Sequence, residues 1–422
     1  MIPLFIIIVI LGITGIITYK TKFLHIYRIP VSLTSSIVVL LFFSIFQNYK
    51  SNEIFIAWKE YPSLFIALVF AALFLETTDE KNKQKSKIIE VLSQGVFVWI
   101  AILGQIIIGI ILTLFLFKPL FGLPIVFYAI LEAGFAGGHG TAVAIRNSLE
   151  SNGMPNGSEY ALFSATIGLI FSIIIGIYLI KDNKTTYLGI QEHKRIHGDP
   201  IQFIVSLTLI LSAFLVGVFI KQSIDKIIPV ELPTLPLFIF TLFGSILIKL
   251  SLRLTKHEYL IQNDIITLFS NVFMELLIFT AISTLDLQII SDALLPLFIL
   301  FTIGFAWNIF SIKRLSEELI QKEYRTELGI LNFGMLGGTT VIGLMLLKML
   351  DPEFKSKAVK IYAEAAPLSS PFVGGGVLTL TLPYLIYRYN PYAILFLLLC
   401  FWILLYAFGR WLYKFSNKGK LV

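Results

Sequence analysis

Gly134-Phe135-Ala136-Gly137-Gly138-His139-Gly140-Thr141-Ala142 decides how this chain is read. The stretch lies within residues 121–149, which are apolar enough to enter a bilayer but carry too many glycines for a continuous helix. Irregular backbone at membrane depth is tolerated only where it is buried in protein or lines a cavity. The stretch is therefore read as a re-entrant hairpin with its tip at Gly137-Gly138. Residues 328–349 have the same character, with Gly329, Gly334, Gly337, Gly338 and Gly343, and are read as a second hairpin.

Outward from the hairpins the chain is built of membrane-crossing segments. The 422 residues are 57% hydrophobic and 14% charged, with a mean hydropathy of +0.85. Soluble domains carry about 25% charged residues, so a soluble enzyme, a nucleic-acid-binding domain and a disordered protein are excluded. Apolar runs long enough for ~30 Å of hydrocarbon fall at 2–18, 31–47, 61–76, 90–117, 159–180, 201–220, 235–251, 264–285, 292–312, 359–386 and 392–413. These give eleven expected spans in an all-α polytopic membrane protein. Glu364, Pro367 and Pro371 interrupt the run at 359–386. The first run has no basic residue before it and no small-residue cleavage site after it, so it is read as an uncleaved helix. The lone cysteine, Cys400, supports neither a disulfide framework nor a cysteine metal site.

Charge sidedness supports this count. With the N-terminus outside and each hairpin returning to the face it entered from, 26 of the 33 Lys and Arg fall on the inner face, the basic tail at Arg410–Lys420 included. Cytoplasmic loops carry such an excess, so the net charge of +7 is read as an orientation signal.

The halves also match in order. Tyr27-Arg28-Ile29-Pro30 precedes the second span and Val230-Glu231-Leu232-Pro233 the seventh, while Gly137-Gly138 and Gly337-Gly338 stand in the two hairpins. An odd number of spans separates the copies, which makes the second one inverted. The expected organisation is a first inverted repeat at 1–182, a cytoplasmic linker at 183–200, a second repeat at 201–388, and an extra C-terminal helix with a basic tail at 389–422. Inverted repeats with broken elements meeting near the midplane are the layout of secondary transporters.

Gly137-Gly138-His139-Gly140-Thr141 resembles the GGHGT motif of the sodium/glutamate symporter family of bacteria. Tyr27-Arg28-Ile29-Pro30 is similar to that family's Y-x-I-P, Ser164-Ala165-Thr166-Ile167-Gly168-Leu169 to its A-T-x-G-L, and Glu231-Leu232-Pro233-Thr234 to its E-L-P-T. The resemblance covers roughly residues 1–375. It implies two inverted five-helix repeats, a homodimer in the bacterial inner membrane, and sodium-coupled uptake of glutamate or a related anionic amino acid or carboxylate by an elevator-type movement. Sodium would be the coupling ion, with no other cofactor. The sequence departs from the family at Gly337-Gly338-Thr339-Thr340-Val341, where G-x-T-P-T is usual, and at Ser369-Ser370-Pro371, which stands where an acidic residue is expected. The eleventh helix has no counterpart in the ten-helix plan.

Unwound backbone and hydroxyls suit a sodium ion, and half-helix N-termini suit a carboxylate. The candidate substrate-binding residues are therefore Gly137, Gly138, Gly140, Thr141, Arg146, Gly337, Gly338, Thr339 and Thr340. The candidate sodium ligands are His139, Ser164, Thr166, Glu275, Asn332 and Glu364. Each has a second reading. Hydroxyls often bond their own helix. His139 either relays a proton or is a donor that fixes the hairpin. Arg146 either pairs with an anionic substrate or anchors the interface. Glu275, a turn after Asn271, and Glu364 either hold an ion or enter internal ion pairs. Glu132, just before the first tip, is expected to face its own hairpin's backbone. A cation/proton antiporter of similar design would use Glu275, Glu364 and His139. No H-E-x-x-H or paired-Asp signature suggests an intramembrane enzyme.

Overall fold

Long apolar runs cannot leave their backbone groups unpaired in lipid, and a helix satisfies them within the segment. The computed structural model is accordingly all-helical over its described residues, which are 2–21, 31–46, 53–73, 75, 88–182, 199–226, 237–351 and 356–418. The motifs at Tyr27–Pro30 and Glu231–Thr234, and nearly all of the expected linker at 183–200, lie outside them.

In chain order the helices are α1 (Ile2–Lys20), α2 (Val31–Ile45), α3 (Glu53–Leu73), α4 (Ile88–Leu112), α5 (Ala129–Gly134), α6 (Gly138–Ala144), α7 (Arg146–Ser151) and α8 (Gly157–Asp182). After these come α9 (Pro200–Asp225), α10 (Leu237–Leu254), α11 (Asn263–Ser283), α12 (Leu287–Ser291), α13 (Leu294–Phe310) and α14 (Arg325–Gly337). The chain closes with α15 (Thr340–Leu350), α16 (Ala358–Ala365), α17 (Val377–Arg388) and α18 (Pro391–Lys418). Among the described residues eight helices are long and apolar enough to cross a membrane: α1, α3, α4 with its extension to Phe121, α8, α9, α11, α13 with its extension to Leu319, and α18. Of the other expected spans, α2 is a shorter apolar helix of 15 residues, and α10 carries Lys249 and Arg253 towards its end.

The expected continuous span at 359–386 is corrected by the structure. Helix α16 passes into a single 3-10 turn at Ala366–Leu368, residues 369–376 are non-helical, and α17 begins only at Val377. Gly374 and Gly375 take positive φ there, +67° and +102°, which helical backbone excludes.

The chain divides into two compact units, each drawing on both halves of the sequence. The first comprises residues 1–83 and 192–285 and holds α1–α3 and α9–α11. Lipid gives helices no hydrophobic reason to associate, so close backbone approach and hydroxyl bonds take over. Gly217 on α9 faces the backbone of Thr241 on α10, and Gly244 faces the Ala213 carbonyl. Thr241 Oγ1 donates to Ala67 O (2.9 Å) and Ser245 Oγ to Ala71 O (2.8 Å), which ties α10 to α3. Edge-on rings of Phe43, Phe55, Trp58 and Phe279 fill the other side.

The second unit comprises residues 84–191 and 286–422. Its centre is α4, most of which is buried. The extra C-terminal helix α18 belongs to this unit. Trp402 Nε1 donates to Ile100 O (3.0 Å), and Arg410 pairs with Glu318 at 3.3 Å, where the Tyr406 hydroxyl also bonds the carboxylate. The opposite face of α18 exposes Phe396, Leu397, Phe401, Leu404, Phe408 and Trp411.

Candidate functional site

Three interruptions of helical backbone meet in the second unit. The first is the joint between α5 and α6. Gly137 N donates to Glu132 O (2.9 Å), and α6 opens on Gly138 at φ +68°. The second is the joint between α14 and α15, where Thr339 caps α15 and its hydroxyl accepts from Ile342 N (3.4 Å). The two joints touch: a β-carbon on Gly138 would lie 3.0 Å from the Gly338 carbonyl oxygen and 3.2 Å from Thr339 Cγ2. Helix α8 runs beside both, with Gly168 against the Gly337 carbonyl. The third interruption is the segment between α16 and α17, whose Gly375 abuts Thr141.

Between these elements lies a cavity of about 80 Å³, lined by Gln94, Ala136, Thr340, Tyr362, Ser369, Ser370 and Gly374 among others. One water needs roughly 10–15 Å³ by this measure, so the cavity has room for a small solute, against walls more apolar than polar. Its polar lining is neutral. The hydroxyls of Thr340 and Tyr362 bond each other at 2.9 Å. Tyr362→Phe removes one of these hydroxyls. It is expected to raise the KM for solute several-fold, since a net hydrogen bond is worth about 1 kcal/mol, with kcat changed much less; steady-state uptake kinetics check this.

Buried amides hold the second joint in place. Gln94 and Asn332 exchange hydrogen bonds at 2.8 and 3.1 Å. Three turns along α4, Gln105 Nε2 donates to Asn308 Oδ1 and to Leu336 O, both at 2.8 Å, and Asn308 Nδ2 donates to Leu336 O at 3.2 Å. Gln94 and Gln105 stand eleven residues apart in an apolar run, on one helical face. That spacing was a readable signal, but only Asn332 of the four amides was among the expected site residues.

Most of the expected residues gather here. Gly137, Gly138, Gly337, Gly338 and Thr339 form the touching joints, and Gly140 and Thr141 are buried on α6. Thr340 alone of them lines the cavity. Thr141 Oγ1 donates to Gly137 O (2.9 Å), closing the first joint on itself. On α8, Thr166 Oγ1 donates to Leu162 O and so accepts from His139 Nε2 at 3.1 Å. This arrangement leaves the buried Nδ1 of His139 without a partner and ties the first joint to α8. Ser164 Oγ is buried and unpartnered beside Gly134. Arg146 does not line the cavity; its Nε meets Ser158 Oγ at 3.4 Å. Glu364 is exposed on α16 and also lies outside the lining.

Glu275 belongs to the first unit, where its Oε2 accepts from Ser32 N at 2.8 Å and satisfies a first-turn N–H of α2. Glu275→Ala is expected to lower the thermal stability of the purified protein by about 1 kcal/mol, the scale of a lost N-cap. The sodium dependence of uptake should stay unchanged. Glu132, expected to face its own hairpin, instead reaches the third interruption. Its Oε1 accepts from Gly374 N (2.9 Å) and Thr379 Oγ1 (2.7 Å).

Comparison with known protein families matches residues 1–339 to the sodium/glutamate symporter family. The chain belongs to that family. It is thus a multi-pass membrane protein of a transporter family whose description pairs sodium with glutamate. The match runs from the N-terminus through both touching joints and ends at Thr339. Helices α15–α18, with the third interruption and the cavity residues Tyr362, Ser369 and Ser370, lie beyond the matched part of this symporter. No curated protein matches the chain in sequence.

Proposed function

We propose that this symporter drives uptake of glutamate or a related anionic amino acid or carboxylate with the sodium gradient. The observation that carries the reading is the meeting of the two glycine joints with the interrupted α16–α17 segment around a small cavity with neutral polar groups in a largely apolar wall, in a chain of this family. Breaks in helical backbone bring amides and carbonyls to membrane depth, where solute and ion can both be held. The N-terminus of α15, capped by Thr339 and entering at Thr340, offers a positive dipole end to a carboxylate.

In this reading α5–α6 and α14–α15 are the re-entrant hairpins of two inverted repeats, entering from outside and inside respectively. The second unit then carries solute and sodium across by an elevator-type movement, in a homodimer set in the bacterial inner membrane with the N-terminus outside and the C-terminus cytoplasmic. Among the expected sodium ligands, Ser164 has a buried hydroxyl without a partner, beside the first joint. His139 serves as a brace, as its bond to Thr166 supports. Antiport would rest on Glu275, Glu364 and His139, of which the first caps a helix in the first unit, the second is exposed and the third is bonded to Thr166.

Uptake of labelled glutamate, aspartate and dicarboxylates into proteoliposomes tests the reading. An inward sodium gradient should drive accumulation that collapses when choline replaces sodium. Proton movement on adding sodium, with no solute accumulation, would establish antiport instead.

A further inference from the structure

Glu132 is 2% exposed on α5, and among the described residues no Lys, Arg or His forms an ion pair with it. A buried carboxylate without a countercharge is costly, and an acid at membrane depth is suspect for function. Hydrogen bonds from Gly374 N and Thr379 Oγ1 both fall on Oε1, and the Gly375 backbone N–H also faces the carboxylate. Four residues earlier, at the end of the 3-10 turn that leads into α5, stands Tyr128, also 2% exposed, whose buried hydroxyl has no partner. A carboxylate, an unpaired phenol oxygen and a threonine hydroxyl are hard oxygen donors of the kind a sodium ion takes.

The position is as informative as the donors. Gly374 lines the cavity, whereas Glu132, which holds its N–H, does not. The carboxylate therefore stands one peptide behind the cavity wall. A cation there would set the position of Gly374 without touching the solute. We propose that Glu132, with Tyr128 and Thr379, binds the coupling sodium ion, and that the Gly374 peptide links ion and solute; this rests on the symport reading above.

Thermal unfolding of the purified protein in sodium chloride against choline chloride, with no solute present, tests the site. A ligand that binds the folded state raises the melting temperature by mass action. Sodium should raise it for the natural protein and for Glu132→Asp. Glu132→Gln should need at least tenfold more sodium for the same rise, and Tyr128→Phe and Thr379→Val several-fold more. If Glu132→Gln does not fold, the other two variants decide. An unchanged sodium response in Glu132→Gln, or in both Tyr128→Phe and Thr379→Val, would overturn the site while leaving symport intact. A rise that follows pH and ignores sodium would overturn it in favour of a proton. Absence of any sodium response in the natural protein, together with absence of sodium-driven uptake, would overturn symport itself.

Discussion

Gly138→Val is expected to abolish uptake while the protein still inserts and purifies. Gly138 adopts φ +68°, a conformation that costs an L-residue roughly 1–2 kcal/mol and a β-branched one more. The added side chain would also start 3.0 Å from the Gly338 carbonyl oxygen and 3.2 Å from Thr339 Cγ2. The β-carbon alone asks these neighbours to give by a few tenths of an ångström, and the two γ-methyls of valine extend the crowding where the joints touch. Insertion depends on the long apolar helices, which the change leaves alone. Initial uptake rates normalised to protein in the membrane, with size-exclusion profiles as the control for folding, check both halves. Retained transport would remove the joints from the site.

The second large effect is expected at Gly375→Ala. Here φ is +102° and a β-carbon would fall 2.3 Å from Thr141 Oγ1. Thr141 must rotate away, which breaks its bond to Gly137 O and loosens the first joint. A loss of at least tenfold in kcat/KM is expected, about 1.4 kcal/mol or more in transition-state terms. The clash and the backbone strain can be separated. Thr141→Ala clears the space, so the double variant should recover part of the loss, a non-additivity that neighbours in contact show. Strict additivity would mean that the two residues do not meet.

Much of this architecture was legible because bilayer thickness fixes helix length and glycine marks where a helix fails. The runs that became α1, α4, α8, α9, α11, α13 and α18 needed nothing else. The glycine clusters at 134–140 and 334–338 marked the joints. The third interruption was hidden in plain sight. Glu364, Pro367 and Pro371 interrupt the run at 359–386, yet with Gly374-Gly375-Gly376 it is still apolar enough to pass as a span. The partners of Glu132 and Glu275 were not legible at all. Gly374 lies 242 residues from Glu132 and Ser32 lies 243 from Glu275, so only tertiary packing could show that one acid holds the third interruption and the other caps a helix.

The central claim is that solute binds where the three interruptions meet, and a cysteine at Ser370 tests it most directly. Ser370 is exposed and lines the cavity, and Cys400 is the only natural cysteine to remove first. In a Cys400→Ser, Ser370→Cys protein that still transports, the rate of modification by a maleimide should fall several-fold when transported solute and sodium are added together. A modification rate unaffected by saturating solute, in a protein whose uptake still saturates, would place the site elsewhere.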